Sequence, residues 1–238
     1  MGSLAEAIQE AHRGIRPAVP VSALERSTAL SARLGVEVWL KCEHLQPTGS
    51  FKVRGATNKI RLLGAEGRRK GVVTASTGNH GRAVAHAGRA ANVAVTAFAA
   101  STAPQHKLEA IRSLGAELVT VAGTPLEVEQ RARAHAESVA LPYISPYNDV
   151  EVVAGQGTIG LELLEQLPEL DAVFVSVGGG GLIGGIGTAL RHQRSRARVV
   201  GVWPEYSVDL LKRLRPDQVA DATERPTLSD STAGAIEP

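Results

Sequence analysis

From residue 36 almost to its end, the sequence alternates short apolar runs rich in β-branched residues with longer segments of helical period. The runs are VEVWLK (36–41), GVVTAS (71–76), VAVTAFA (93–99), AELVTVA (116–122), LPYIS (141–145), DAVFVSV (171–177) and RVVGVW (198–203). Several are continuously apolar rather than alternating, which is the pattern of strands covered on both faces of a parallel sheet. The segments between them fit crossover helices. This predicts an α/β architecture that binds ligands outside the carboxyl ends of its strands. Local signals agree, since Pro104 can sit at the first turn of TAPQHKLEAIRSLGAE and Gly115 is placed to end it.

A break before residue 71 and the turn-rich ISPYNDV at 144–150 bracket three βα units, which predicts a small lobe there. The final TERPTLSDSTAGAIEP (223–238) is polar and turn-like, so no helix or strand is expected in it and the last structural unit is frayed or missing.

Composition removes several function classes. The charges, 26 Lys+Arg against 24 Asp+Glu, are spread along the chain with nothing denser than GRRKG at 67–71, so nucleic acid is not expected as a partner. Three Phe, two Trp and three Tyr leave few stacking platforms for single strands. The one cysteine, Cys42, cannot form an internal disulfide and no Cys/His spacing suggests zinc, which fits a reducing cytoplasm. The N-terminus has helical spacing with Glu6 and Glu10 rather than a targeting pattern, and no run approaches membrane-span length.

Four segments can carry chemistry. In LQPTGSFKVRGATNKI, Pro47, Gly49 and Ser50 make a turn into a helix, with Ser50 as its N-cap and Lys52 in the first turn. Lys52 is either a solvated helix lysine or a Schiff-base lysine, whose amine must be neutral to attack a carbonyl. In TASTGNHGRAVAHAGR (74–89), Ser76, Thr77, Gly78 and Asn79 lie where a helix N-terminus can receive an anion, or simply form a βα turn. His80 has no clustered partner in sequence and reads as a hydrogen-bonded structural histidine. In DAVFVSVGGGGLIGGIGTAL (171–190), four successive glycines open a helix and suggest a phosphate cradle. Gly179, Gly181 and Gly184 also satisfy GxGxxG, with Glu205 after the next strand, so a dinucleotide site is a rival. GQGTIGLELLEQL (155–167) reads as a loop and an amphipathic helix whose Gly155 and Gly157 serve close packing. Acidic residues fall mostly on helix faces expected to be exposed, which gives a two-carboxylate site no support.

Together LKCEHLQPTGSFKVRGA, STGNHG, AGQGTIGLELL and SVGGGGLIGGI, in this order, resemble the pyridoxal-phosphate-dependent threonine/serine dehydratase family of fold type II, the tryptophan synthase beta-like group. The resemblance runs from about residue 15 to the end and displaces the dinucleotide reading, because one cofactor accounts for the lysine, the Asn loop and the glycine loop together. It implies two lobes, each a mostly parallel twisted sheet flanked by helices. Residues 1–66 and 146–238 would form the large cofactor-binding lobe and 67–145 the small one. Pyridoxal 5'-phosphate is the implied cofactor, joined to Lys52, which also removes the substrate α-proton. Phe51 would lie against its ring, Asn79 would bond the ring oxygen, and Gly178, Gly179, Gly180, Gly181 and Leu182 would hold the phosphate. Ser76, Thr77, Gly78 and His80 would line the substrate carboxylate site.

The implied reaction is dehydration and deamination of a β-hydroxy amino acid such as threonine or serine, giving a 2-oxo acid and ammonia; the loop and tail resemble catabolic or hydroxyectoine-utilisation members. An amino-acid racemase of the same fold is the alternative, disfavoured by Thr77 where racemases carry a serine. From another class, a non-catalytic binding module with the same fold is the second alternative. No metal is expected, since VWPEYSVD places Trp203 where metal-binding members have a ligand and leaves Asp209 alone. Family members continue past the position of Pro238, where a Ser or Cys meets the pyridine nitrogen, so the C-terminal part of the large lobe is expected to be missing from this chain. A homodimer is the implied assembly.

Overall fold

The computed structural model describes residues 2–219, 225, 227–233 and 236. Helix α1 (Leu4–Ile15) opens on a capping box between Ser3 and Glu6. Strand β1 (Leu24–Arg26), helix α2 (Thr28–Leu34) and strand β2 (Trp39–Lys41) follow, and β1 pairs antiparallel with β2. The run expected as a strand over 36–41 is extended only from Trp39. Gly35 ends α2 at φ +68, and the Val38 N–H is taken by Ser31 Oγ rather than by a neighbouring strand. The polar LER strand β1 carries no sequence signal of its own.

Next come α3 (Lys52–Leu62), α4 (Ala65–Lys70), β3 (Val72–Ala75), α5 (Asn79–Ala91) and β4 (Val95–Ala100). They are followed by α6 (Gln105–Arg112), β5 (Glu117–Val121), α7 (Pro125–Ser138) and β6 (Tyr143–Ile144). Helix α6 starts after Pro104, which occupies the N-cap, and Gly115 takes up the φ of +89 that turns the chain into β5. The four strands form one parallel sheet in the order β5-β4-β3-β6. Its two faces are covered by different helices. Val72, Val95 and Ala97 pack with Val53, Ala83, Val84 and Ile111 on one side, while Val73, Ala75 and Phe98 pack with Val128, Ala132 and Ala136 on the other. Two-sided burial is why these strands read as continuous apolar runs.

Helix α8 (Val150–Gln166), strand β7 (Ala172–Ser176), helix α9 (Gly181–His192), strand β8 (Arg198–Val202) and helix α10 (Asp209–Leu214) complete the order, and β7 pairs parallel with β8. Helix α8 is the keystone, packed against α1, α3 and α9. It starts at Val150 under an Asp149 cap, so GQG lies inside the helix and not in a loop. Close packing is nevertheless what these glycines serve. A Cβ on Gly155 would stand 2.5 Å from Gly55 Cα of α3, and one on Gly157 would stand 3.0 Å from the Gly185 carbonyl of α9.

The tail expected to lack helix and strand, 223–238, falls partly outside the described residues; its described part includes a 3-10 turn at Asp230–Thr232. Among the described residues no helix is long and apolar enough to cross a membrane.

Candidate active site

Three loops leave the carboxyl ends of strands and meet: STGNH after β3, SPYND after β6 and GGGG after β7. The segment 144–147 joins them. The Ile144 carbonyl accepts from His80 Nε2 at 3.1 Å and from Thr74 Oγ1 at 2.9 Å. Lys52 Nζ donates to the Pro146 carbonyl at 2.6 Å. The Tyr147 ring lies against Gly179, so close that a Cβ there would overlap it, and the Tyr147 carbonyl would stand 2.8 Å from a Cβ on Gly181. This turn is built locally: Ser145 Oγ accepts from the N–H of Asn148 at 3.0 Å, and Asp149 then caps α8.

Lys52 begins α3, with Phe51 as the N-cap residue and no side chain capping the helix. Ser50, expected in that role, is buried with its hydroxyl unpartnered among the described residues, as is Thr48. Ser50 therefore leaves the first amides of α3 uncapped. Burial pulls the Lys52 amine from the ordinary lysine range to about 8, against the opposing pull of the Glu129 carboxylate. The ammonium also lies 5.3 Å from the centroid of the Phe51 ring.

His80 is 2% exposed. Burial and the nearby Lys52 charge depress its pKa to about 3, so the ring is neutral. A carbonyl can only accept, so Nε2 carries the proton and Nδ1 is a lone pair, unpartnered among the described residues. The imidazole thus cannot donate to an anion, whereas the His80 backbone N–H, in the first turn of α5, can. Ser76 Oγ is engaged by the Gly78 N–H at 3.1 Å; Thr77 and Asn79 are half-buried at the same helix end.

At the start of α9 the N–H groups of Gly178, Gly179, Gly180, Gly181 and Leu182 have no acceptor among the described residues. Gly180 is left-handed at φ +87, a conformation that costs any other residue strain. Gly179 and Gly181 are needed for a reason the sequence did not suggest: Tyr147 fills the space beside them. Successive unpaired amides at a helix start form a site for one phosphate.

The sequence reading missed Pro146, Tyr147 and Glu129. Glu129 on α7 is buried, within 3.2 Å of the Tyr143 hydroxyl and 3.4 Å of the Tyr147 hydroxyl. It and Glu162 are the buried exceptions among the described acidic residues. The turn-rich SPYND was the available signal, read only as a lobe boundary.

A lysine with a lowered pKa at a helix start, joined through Pro146 and Tyr147 to a run of free amides at the carboxyl end of a parallel strand, is an arrangement able to take a phosphorylated carbonyl cofactor. The chain matches the family described as "Pyridoxal-phosphate dependent enzyme" over residues 15–238, and it belongs to that family. It is 40% identical over 228 residues to the L-threonine ammonia-lyase of Thermotoga maritima, covering 96% of this chain and 57% of that protein. Processed threonine deaminase isoform 2 from Solanum lycopersicum superposes with a TM-score of 0.90 at 36% identity, covering 98% of this chain and 68% of that one. Maize serine racemase superposes with a TM-score of 0.90 at 32% identity, covering 96% and 69%. The chain thus spans little more than half the length of the first of these relatives. The residues present fit pyridoxal phosphate: among the described residues the amides of 178–182 lack acceptors and the hydroxyls of Thr48 and Ser50 lack partners, and Lys52 has an amine that could join the carbonyl.

Proposed function

We propose that this chain forms the catalytic part of a pyridoxal-phosphate-dependent lyase that converts a β-hydroxy amino acid, such as threonine or serine, into a 2-oxo acid and ammonia. One observation carries the reading: adjacent residues Pro146 and Tyr147 touch the Lys52 amine and the glycine nest respectively. The threonine ammonia-lyase and threonine deaminase among its relatives support the same reaction.

When bound, pyridoxal phosphate supplies an electron sink for the electrons left at the substrate α-carbon. Lys52 would carry the cofactor and accept the substrate α-proton on Nζ; a pKa lowered to about 8 makes the neutral amine more accessible than for an ordinary lysine, which both roles require. The amides of Gly178, Gly179, Gly180, Gly181 and Leu182 would hold the phosphate, Asn79 would bond the ring oxygen, and Phe51 would flank the ring. Ser76, Thr77, Gly78 and the backbone N–H of His80 receive the substrate carboxylate. Residues 67–145 act as the small lobe, and 1–66 with 146–238 as the large one. A cytoplasmic homodimer is the assembly this reading favours.

The likeness to maize serine racemase favours a second reading, racemisation with the Thr77 hydroxyl on the opposite face of the substrate. Incubation with L-threonine, L-serine and threo-3-hydroxyaspartate, scoring 2-oxo acid and D-isomer separately, distinguishes the two. The lyase reading expects 2-oxo acid that disappears in Lys52→Ala; no 2-oxo acid from any of the three substrates overturns it.

A further inference from the structure

Helix α3 crosses α8 where Gly55 meets Gly155. The two glycines let the backbones touch, with Val152 and Gln156 of α8 packed against Gly55; beyond the crossing Asn58 and Lys59 tie α3 to the start of α8, and on the Lys52 side the rotation of α3 is fixed by a separate tie. Lys52 lies three residues before the crossing, and Arg54 lies between them. Two residues along a helix are ~200° apart around its axis, so Arg54 leaves α3 on nearly the opposite side from Lys52.

Arg54 is 1% exposed and spends its whole guanidinium on this side. Nη1 donates to Glu162 Oε1 at 2.7 Å and Thr158 Oγ1 at 3.0 Å. Nη2 reaches Glu162 Oε2 at 2.8 Å and Glu43 Oε1 at 2.7 Å, and Nε reaches Glu43 Oε2 at 2.8 Å. Glu162, also 1% exposed, takes a further bond from Lys41 Nζ at 2.7 Å. One fork therefore ties the helix of Lys52 to α8 through Glu162 and to the segment leading into that helix through Glu43. Removing two cations and two carboxylates from water is a costly way to stabilise a core, and apolar side chains of similar volume often do as well. What the ions add is fixed geometry.

We propose that Arg54, with Glu162 and Glu43, is the positioning element that sets the rotation of α3 and so aims the Lys52 amine at the cofactor site beside Pro146. The inference rests on the reading of Lys52 as the residue that carries the cofactor.

The test is the rate at which pyridoxal phosphate is captured on Lys52, trapped with borohydride and located by mass spectrometry across pH, alongside thermal unfolding. Arg54→Lys keeps the charge and loses the fork; Arg54→Met with Glu162→Met removes one charge of each sign. Both are expected to fold, yet to capture the cofactor on Lys52 about 10- to 100-fold more slowly, with a displaced pH midpoint. Folded variants that match the wild-type rate and midpoint overturn the proposal. If the double variant does not fold, Arg54→Lys and Glu43→Gln decide by the same two readouts. A wild-type protein that captures nothing on Lys52 overturns the prior reading instead, which separates the two failures.

Discussion

Lys52 Nζ donates to the main-chain carbonyl of Pro146 at 2.6 Å, an uncharged acceptor facing a buried ammonium. A carboxylate there would hold the proton and raise the pKa. A carbonyl binds the charged and neutral amine with less difference, so burial decides and the amine falls to about 8. Glu129 opposes this only through space.

This arrangement has a stability signature. Free lysine titrates near ~10.4, so between about pH 8 and ~10.4 the unfolded chain binds more protons at this position than the folded one. Stability contributed by Lys52 therefore rises with pH across that window, and below it the buried charge is a constant cost. Lys52→Met is expected to raise the melting temperature at pH 7 by roughly 2–8 °C, for about 1–2 kcal/mol in a chain of this size. The gain should shrink as pH approaches 10. A melting series from pH 7 to 10 checks it, and a gain that does not depend on pH contradicts the buried-charge account.

His80 has the same sign at lower pH. Its folded pKa of about 3 lies below the ~6.5 of free histidine, so stability is full above ~6.5 and is lost as pH falls towards 3. His80→Gln keeps an N–H for the Ile144 carbonyl and cannot titrate. Urea midpoints between pH 7 and 4 should fall less steeply in the variant, by up to about one proton's worth of slope. Equal slopes would show that the ring protonates in the folded protein.

The parts legible in the sequence were those set by short-range rules. Two-sided burial writes itself into Val72–Val73 and Val95–Ala97, and a strand followed by GGGG or STGNHG announces a turn into a helix. What escaped depended on residues distant in sequence. Glu162 sits in a helix whose pattern allowed an exposed face, and its burial is accounted for by Arg54 and Lys41, 108 and 121 positions away. Ser50 satisfies the preference for an N-cap, but the turn places Phe51 there instead. Tyr147 sits in a turn that reads as a boundary, and its contact with Gly179 exists only after α8 and α9 have packed.

That packing is itself open to test. Gly155 meets α3 backbone, which cannot shift as a flexible side chain could, so Gly155→Ala is expected to destabilise by about 1–3 kcal/mol. Gly184 of α9 has open space where a Cβ would go, and Gly184→Ala is expected to stabilise by up to ~1 kcal/mol through helix propensity. Denaturant titration of both compares the same substitution in two helices. Equal effects would contradict the glycine crossing.

Gly179 separates the two reasons a glycine can stand in an anion loop. Its φ is not positive, so alanine fits its backbone conformation, and its amide would still be free to donate. The obstacle is the Tyr147 ring, which a new Cβ would overlap. Gly179→Ala should therefore weaken pyridoxal phosphate binding and lower stability by about 1–3 kcal/mol, and Tyr147→Ala in the same chain should recover most of the stability loss. If the glycine were needed for ligand approach alone, the second substitution would recover nothing. A double-mutant cycle on melting temperature without cofactor reads the coupling between ring and loop. Repeating it with cofactor at saturation shows whether removing the ring also restores the phosphate site.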